Sequence, residues 1–109
     1  MTKAVEARWK SMRTKESRLV EKVLRESFPQ TDAYRYNPAS VRVRVIDSRF
    51  EGKTIEERDG MVEPLLKKLP KEIQADIMNL LTLTPSETTD SLRKQADNLE
   101  FEDPSPSEL

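Results

Sequence analysis

The chain of 109 residues contains no cysteine and no histidine. The first absence excludes disulfides and thiolate zinc sites. Together the two absences exclude the usual ligands of an iron–sulfur cluster and the Cys/His and Ser/His catalytic pairs. Carboxylate or lysine chemistry remains available, but no P-loop or EF-hand motif supports it. The composition therefore predicts a protein that is not an enzyme and that binds no cofactor.

Long apolar runs are absent as well. No run approaches the roughly 20 residues that a membrane span needs, and the first ten residues, MTKAVEARWK, lack the apolar region of a secretory signal. Hydrophobic residues make up 35% and charged residues 36% of the chain, which indicates a soluble protein with a part that is not packed into a core. We therefore expect a small cytoplasmic protein of about one domain with no membrane association.

Charge is unevenly distributed although the net charge is only −1. Residues 86–109 carry seven acidic and two basic side chains, so the rest of the chain has a net charge of +4. This asymmetry fits either a basic surface shielded by an acidic tail or, more simply, a solvated body with a disordered terminus. The second interpretation predicts that residues 88–109 are a largely disordered tail, unfolded from about Asp103 onward, with at most a nascent helix between Ser86 and Glu100.

Apolar residues at helical spacing predict one helix over residues 4–28. Glu16 interrupts the apolar stripe, so the second half, from Lys15 to Phe28, is the better core helix, and residues 1–14 are expected to be an N-terminal helical extension. The stripe consists of Val5, Trp9, Met12, Leu19, Val20, Val23 and Leu24.

The next segment, 33-AYRYNPASVRVRVIDSRF-50, alternates with the period of two that is typical of strands. Residues 37–40 supply an Asn-Pro turn, so the segment predicts a β-hairpin. The alternation places Arg42 and Arg44 on the face opposite Val41, Val43 and Val45. One face of the sheet is therefore expected to be core, while the other can meet solvent or a partner.

A second helix is predicted to begin at Thr54, which forms a capping box with Glu57. Gly60 and Pro64 follow inside this helix, and an interior proline costs about 3 kcal/mol or forces a kink. The residues therefore predict a short first turn, a bend at Asp59-Gly60 and a restart with Pro64 in the new first turn. The buried stripe is expected to be Ile55, Met61, Val62, Leu65, Leu66 and Leu69.

A short helix over residues 71–78 and a third strand over residues 79–84 complete an α+β order. This order, with Phe50-Glu51-Gly52 in the turn after the second strand, resembles that of the BolA family. The resemblance rests on 41-VRVRVIDSRFEGKTIEERDGMVEPLLKKL-69, with its F-x-G turn, and on 80-LLTLTPSE-87, a final strand that leads to a Thr-Pro-acid sequence. It spans about residues 18–87.

The resemblance implies a three-stranded mixed sheet with helices packed on it, similar to type II KH domains, with the third strand parallel to its hairpin neighbour. A BolA-like domain would then occupy residues 15–87. The resemblance also implies that the helix from Thr54 persists through its breakers, because its apolar side chains are buried by tertiary packing.

The chain departs from the BolA pattern at the family's ligand positions. Asp59 stands where a histidine is usual, and Asp76 stands where the family has the histidine that ligates a 2Fe-2S cluster shared with a monothiol glutaredoxin. The loop between the first two strands, which often carries a further ligand in the family, is reduced to residues 37–40. Carboxylates are poor ligands for such a cluster, so its loss is expected. A helix cap or an ion pair explains each aspartate better than a weak site for a hard cation.

A KH-like surface is the part of the resemblance that these departures leave intact. Five cations are the candidates for phosphate contact and two tyrosines for base stacking: Arg42, Arg44, Arg49, Lys53 and Arg58, which we call the basic strip, with Tyr34 and Tyr36. No G-x-x-G loop of the KH type is present, and the tyrosines equally fit a role in covering the sheet. The sequence therefore predicts a non-catalytic BolA-like protein-interaction or regulatory module without an iron–sulfur cluster, which binds a protein partner, with RNA or DNA binding as the alternative.

Overall fold

The computed structural model describes residues 7–108. Val5 and the predicted first turn of the N-terminal helix therefore lie outside the described residues. The helices are α1 (Lys15–Arg25), α2 (Ile55–Leu66), α3 (Lys71–Asp76), α4 (Glu87–Asp90) and α5 (Leu92–Glu102), the strands are β1 (Thr31–Asn37), β2 (Ser40–Ile46) and β3 (Ile77–Leu83), and 3-10 helices span Arg8–Met12 and Ser48–Phe50. Within residues 7–108, no helix is long and apolar enough to cross a membrane.

The three strands form one mixed sheet in the order β1-β2-β3. β1 and β2 are antiparallel, with Tyr34 opposite Arg42, while β3 runs parallel to β2, with Leu81 opposite Arg44. A parallel pair requires a crossover connection, and α2 and α3 provide it. The predicted α+β class, the hairpin and the mixed three-stranded sheet with helices packed on it are confirmed.

One face of the sheet, which we call the valine face, carries Val41, Val43 and Val45, all fully buried. α1, α2 and α3 pack against it. A fully buried valine or leucine contributes roughly 1.5–3 kcal/mol relative to an exposed one, so this face holds the main core. Its buried residues are Val20, Leu24, Phe28, Ala33, Val41, Val43, Val45, Phe50, Val62, Leu69 and Ile73.

The opposite face, which we call the arginine face, is covered as well. Trp9 of the first 3-10 helix, Tyr34 of β1 and Phe101 of α5 form a second buried cluster on it, each at most 3% exposed. The ring centroids of Tyr34 and Phe101 are 4.7 Å apart, and those of Trp9 and Phe101 are 5.7 Å apart. The sheet is therefore the middle layer of the molecule.

The N-terminal segment is not the single helix that the spacing predicts. The 3-10 helix ends at Met12, Arg13 is extended, and α1 begins after Thr14, which forms a capping box with Ser17. The interruption has a physical reason, because Trp9 packs on the arginine face while the apolar side of α1 packs on the valine face. One straight helix cannot contact both faces of a sheet.

The C-terminal segment is folded, so the prediction of a largely disordered tail over residues 88–109 is wrong for the described part. α5 begins after Ser91, whose hydroxyl accepts the backbone N–H of Lys94, and it buries Phe101. Along the chain, Phe101 stands among charged residues, which by themselves do not predict a docked helix. Its ring partners, Trp9 and Tyr34, are far away along the chain, so no local pattern signals this contact.

The order continues past α5, although the sequence predicts an unfolded end from about Asp103. Pro104 is buried, and Arg8 Nη1 donates to its carbonyl oxygen at 3.1 Å. The Tyr36 hydroxyl donates to the Ser105 carbonyl at 2.6 Å. Residues 103–107 therefore run along the arginine face beside β1, and the described parts of both termini belong to the same fold as residues 15–87.

α2 is one continuous helix, so the bend predicted at Asp59-Gly60 is wrong. Thr54 and Glu57 form the predicted capping box at its start. Pro64 is exposed and lies in the last turn, so it removes a single backbone hydrogen bond from a helix that Val62 anchors in the core. Ile55, predicted to be in the buried stripe, is 45% exposed. Tertiary packing therefore outweighs the proline, as the resemblance implied.

Candidate functional site

Arg42, the first member of the basic strip, is committed to contacts within the molecule. Its Nη1 donates to Glu100 Oε2 at 2.8 Å and to the Tyr34 hydroxyl at 3.2 Å, and its guanidinium lies 3.7 Å from the ring centroid of Tyr36. Hydrogen bonds from Arg42 and then from Ser105 lower the pKa of Glu100 to about 2. Arg42 thus ties α5 to the sheet and has little free charge to offer a phosphate.

Arg44 is still more enclosed, with 5% of its surface exposed. Its Nη2 donates to Asp32 Oδ2 at 2.7 Å, and its Nη1 donates to Asn98 Oδ1 at 2.7 Å and to Glu102 Oε1 at 2.8 Å. The guanidinium lies 4.5 Å from the ring centroid of Phe101. Two carboxylates surround one cation, so Arg44 joins β1, β2 and α5 and is not part of an open cationic surface.

The two tyrosines proposed for base stacking lie under the terminal segments. Tyr34 is fully buried between Trp9 and Phe101, and this burial raises the pKa of its hydroxyl. Tyr36 is half-buried, with Arg42 over its ring and its hydroxyl bonded to Ser105. They cover the sheet, which is the alternative that the period-two pattern left open.

The other three cations of the basic strip are divided between the interior and the surface. Arg58 is buried and donates from Nη1 and Nη2 to the two carboxylate oxygens of Glu87 at 2.7 and 3.1 Å. Arg49 is exposed and paired with Asp47 at 2.9 Å, while Lys53 is exposed. The structure therefore does not bring the predicted residues together into one open basic surface.

The aspartates at the two family ligand positions have separate environments. Asp76, in the last turn of α3, accepts from Arg35 Nη2 at 3.1 Å, which is the predicted kind of ion pair. Burial, followed by the nearby charges of Glu63 and Glu56, raises the pKa of Asp59, and its Oδ1 has no hydrogen-bond partner among residues 7–108. No group of three or more candidate metal ligands occurs in this part of the chain.

The outer edge of β1 is closed by side chains of α1. Glu21 Oε2 accepts the backbone N–H of Ala33 at 3.0 Å, and Arg25 Nε donates to the carbonyl of Thr31 at 2.9 Å. Glu21 is itself buried and paired with Arg13 at 3.2 Å. A further strand therefore cannot pair along this side of the sheet without displacing the side chains of α1.

The outer edge of β3 is open by comparison. The carbonyl of Leu83 accepts the N–H of Asp47 on the β2 side, so by alternation the backbone groups of Leu80 and Thr82 point outward. Arg58 takes the Thr82 carbonyl at 3.1 Å. No residue among 7–108 bonds to the outward N–H or C=O of Leu80, and a register shift between Val41 and Arg42 marks a bulge at the start of β3.

A cleft of about 430 Å³ lies along this open edge. The start of α2 contributes Ile55 to one wall, β3 contributes Leu80 to the floor, and α5 forms the opposite wall with Arg93, Lys94 and Asp97. Neither Arg93 nor Lys94 makes an ion pair within the described residues. The cleft therefore combines unpaired backbone groups, apolar surface and two available cations, the combination expected of a site for an extended peptide.

No local pattern in the sequence signals this cleft, because its walls come from three elements and Ile55 and Asp97 are 42 residues apart. Local signals point elsewhere, because the spacing of Ile55 predicts a place in the core and the acidic composition around Arg93 and Lys94 predicts a disordered tail. The apolar residues of 79-NLLTLT-84 correctly indicated a strand but not that this strand lies at an edge of the sheet.

Comparisons of the chain with protein families, with curated proteins and with solved structures found no match. The BolA resemblance therefore stays a prediction that rests on its motif residues. Any assignment of function rests on the geometry of the cleft and on the contacts of the predicted site residues.

Proposed function

We propose that the chain is a non-catalytic, BolA-like protein-interaction module that holds no iron–sulfur cluster and binds a protein partner at the cleft beside β3. The observation that carries this proposal is the open outer edge of β3 with its adjoining cleft. The opposite edge of the sheet is closed by Glu21 and Arg25. A partner strand can thus pair at one side of the sheet without disturbing the core.

The contact between the two motif segments supports the BolA-like part of the proposal. Arg58 belongs to the segment around the second helix, and Glu87 is the acid of the Thr-Pro-acid sequence. Their two-point ion pair joins α2 to the turn after β3, and Glu87 Oε1 also accepts the N–H of Thr84 at 2.8 Å. Arg58 and Glu87, which both carry the resemblance, therefore act together to hold α2 against the end of β3.

The environments of the two aspartates support the absence of a cluster. Asp76 is ion-paired with Arg35, and Asp59 lies near two other carboxylates. Oxygen ligands suit neither the charge nor the softness of an iron–sulfur cluster. Reconstitution with iron, sulfide and a monothiol glutaredoxin is expected to give no visible absorption band that survives desalting. A stable band that disappears in Asp76→Ala would overturn this part of the proposal.

Nucleic-acid binding through the basic strip has less support, because Arg42, Arg44 and Arg58 are each paired with a carboxylate at 2.8 Å or less. Phosphates would have to compete with these carboxylates. Fluorescence anisotropy with short single strands at low salt distinguishes the alternatives. If any binding to these strands is seen, we expect Arg42→Ala to leave it unchanged.

Site-specific photo-crosslinking tests the protein-binding proposal directly. Asn79 is exposed and lines the cleft, whereas Lys68 is exposed just after α2 and serves as the matched control. A photoreactive residue at position 79, but not at position 68, is expected to give discrete protein adducts in an extract of the source cells. Adducts that nuclease removes, or equal adducts at both positions, would contradict the proposal.

A further inference from the structure

We infer that the cleft takes an extended partner segment by strand addition to β3, and that this segment alternates apolar and acidic side chains. The inference rests on the proposed function and adds the chemistry of the partner. It follows from three features of the cleft: the unpaired backbone groups of β3, the different walls on its two sides, and the two cations of α5 that have no ion pair within the described residues.

The backbone of β3 limits the length of the added strand. Leu80 offers an outward N–H and C=O, whereas Thr82 is 1% exposed and its carbonyl is already taken by Arg58. The bulge at Met78 interrupts the edge on the other side. The pairing region is therefore short, so backbone hydrogen bonds alone provide modest affinity and the side chains of the partner must provide the specificity.

The two walls of the cleft differ because they belong to opposite layers of the molecule. α2 covers the valine face and presents Ile55, whereas α5 covers the arginine face and presents Arg93 and Lys94. Successive side chains of a strand point to opposite faces of its sheet. In a strand added to β3, one set of side chains would therefore face Ile55 and the alternate set would face the cations of α5.

The charges of the cleft select acidic side chains on the α5 side. Arg42 also lines the cleft, but Glu100 already pairs with it at 2.8 Å. Among the other charged residues that line it, Arg93 and Lys94 outnumber Asp97. The remaining excess of positive charge attracts glutamate or aspartate in the partner and repels lysine. Ile55 completes the pattern by favouring an apolar side chain on the other wall.

A synthetic peptide that alternates valine and glutamate tests this inference with the full chain. Titration followed by backbone amide NMR is expected to shift the signals of Leu80, Thr82 and Lys94, and to leave β1 unchanged. A peptide with lysine in place of glutamate is expected to bind at least about tenfold more weakly. Equal affinity for the two peptides would overturn the charge pattern.

Backbone methylation distinguishes strand addition from simple ionic attraction. Alternate N–H groups of an added strand point toward β3, so methylating one alternate set is expected to abolish binding and methylating the other set to preserve it. Loss of affinity with both sets, or with neither, would overturn strand addition. Shifts confined to the exposed apolar residues Leu92 and Leu99 would overturn the location of the site.

A charge reversal in the protein provides the matched control. Arg93→Glu with Lys94→Glu is expected to exchange the preference from the glutamate peptide to the lysine peptide, while Lys67→Glu with Lys68→Glu, at exposed positions just after α2, is expected to leave it unchanged. If no peptide binds but crosslinks persist at position 79, the proposed function stands and the inferred partner chemistry fails. A concentration-dependent dimer that protects Leu80 from amide exchange would instead assign the edge to a second copy of the chain.

Discussion

The two faces of the sheet are buried by different kinds of contact. On the valine face, apolar side chains of α1, α2 and α3 pack against Val41, Val43 and Val45. The stabilisation from this packing has no preferred direction and is proportional to the apolar area that is buried. The arginine face places two guanidinium groups, Arg42 and Arg44, between aromatic rings and carboxylates of α5. Apolar packing requires only that side chains fill the available volume, whereas a buried guanidinium requires hydrogen-bond acceptors at particular positions.

This difference explains what determines the orientation of the C-terminal segment on the sheet. α5 has few buried apolar residues, and Phe101 alone does not determine which way the helix lies. Glu100 and Glu102, on either side of the buried Phe101, pair with Arg42 and Arg44 respectively, so two ion pairs and one ring contact together set the direction of α5 across the sheet. We conclude that the arginine face fixes orientation while the valine face provides most of the core.

Removal of the aromatic anchor is expected to have the largest effect. Phe101→Ala should lower the free energy of unfolding by about 3–5 kcal/mol, because it leaves a cavity between Trp9 and Tyr34. Thermal or urea unfolding measures the change. Leu99→Ala, in the same helix but 65% exposed, is the control and should change stability by less than about 0.5 kcal/mol. Equal stability of the two variants would show that α5 does not dock in solution.

Disruption of the ionic contacts of the arginine face ranks second. Arg44→Met keeps the apolar stem but leaves Asn98 and Glu102 without their donor, and should cost about 2–3 kcal/mol in urea unfolding. Asp32 retains Arg25 at 3.3 Å, which limits the loss. The control, Arg49→Met, breaks an exposed pair with Asp47 and should cost less than about 1 kcal/mol. Similar losses of stability for the two variants would indicate that burial does not strengthen the contacts of Arg44.

Acid should weaken the arginine face through Glu100. The pKa of this carboxyl is lowered to about 2 in the folded state, first by Arg42 and then by Ser105. Its stabilising contribution is therefore complete above the unfolded pKa, roughly 4.3, and is lost as the pH falls toward 2. Wild type should exceed Glu100→Gln in stability at pH 7, the difference should begin to fall near the unfolded pKa, and the two should converge only as the pH reaches about 2. In an Arg42→Met background, the pH-dependent difference should shrink strongly; its persistence would assign the shift to another partner.

The smallest change in stability is expected for a substitution at Asp59 in α2, which covers the valine face. Asp59 lacks a partner for Oδ1 among the described residues, and burial and then Glu63 and Glu56 raise its pKa. A raised folded pKa means that the stability of the protonated form is lost as the pH rises through it. Asp59→Asn should therefore raise stability at pH 7 by less than about 1 kcal/mol and lose this advantage near pH 3. A loss of stability at pH 7 would show that the carboxylate has a partner.

The hairpin and the helix start at Thr54 were predictable because their signals are local. Alternation over Val41 to Val45 determines which side chains share a face, and the hydroxyl of Thr54 reaches the N–H of Glu57 within one turn. The cleft and the burial of the basic strip were not predictable in the same way. Arg42 and Glu100 are 58 residues apart, and a cation read alone is equally consistent with solvent, a phosphate or an internal carboxylate.

By itself, the sequence determined the α+β class, the strand alternation and the absence of histidine and cysteine chemistry, because these depend on residue type and on spacing within a few positions. Tertiary structure alone decided that α2 continues through Pro64, that the C-terminal segment folds over Arg42 and Arg44, and that β3 rather than β1 keeps an open edge. Each of these outcomes depends on partners brought together by the fold, and the energies of such contacts exceed the local preferences that the sequence expresses.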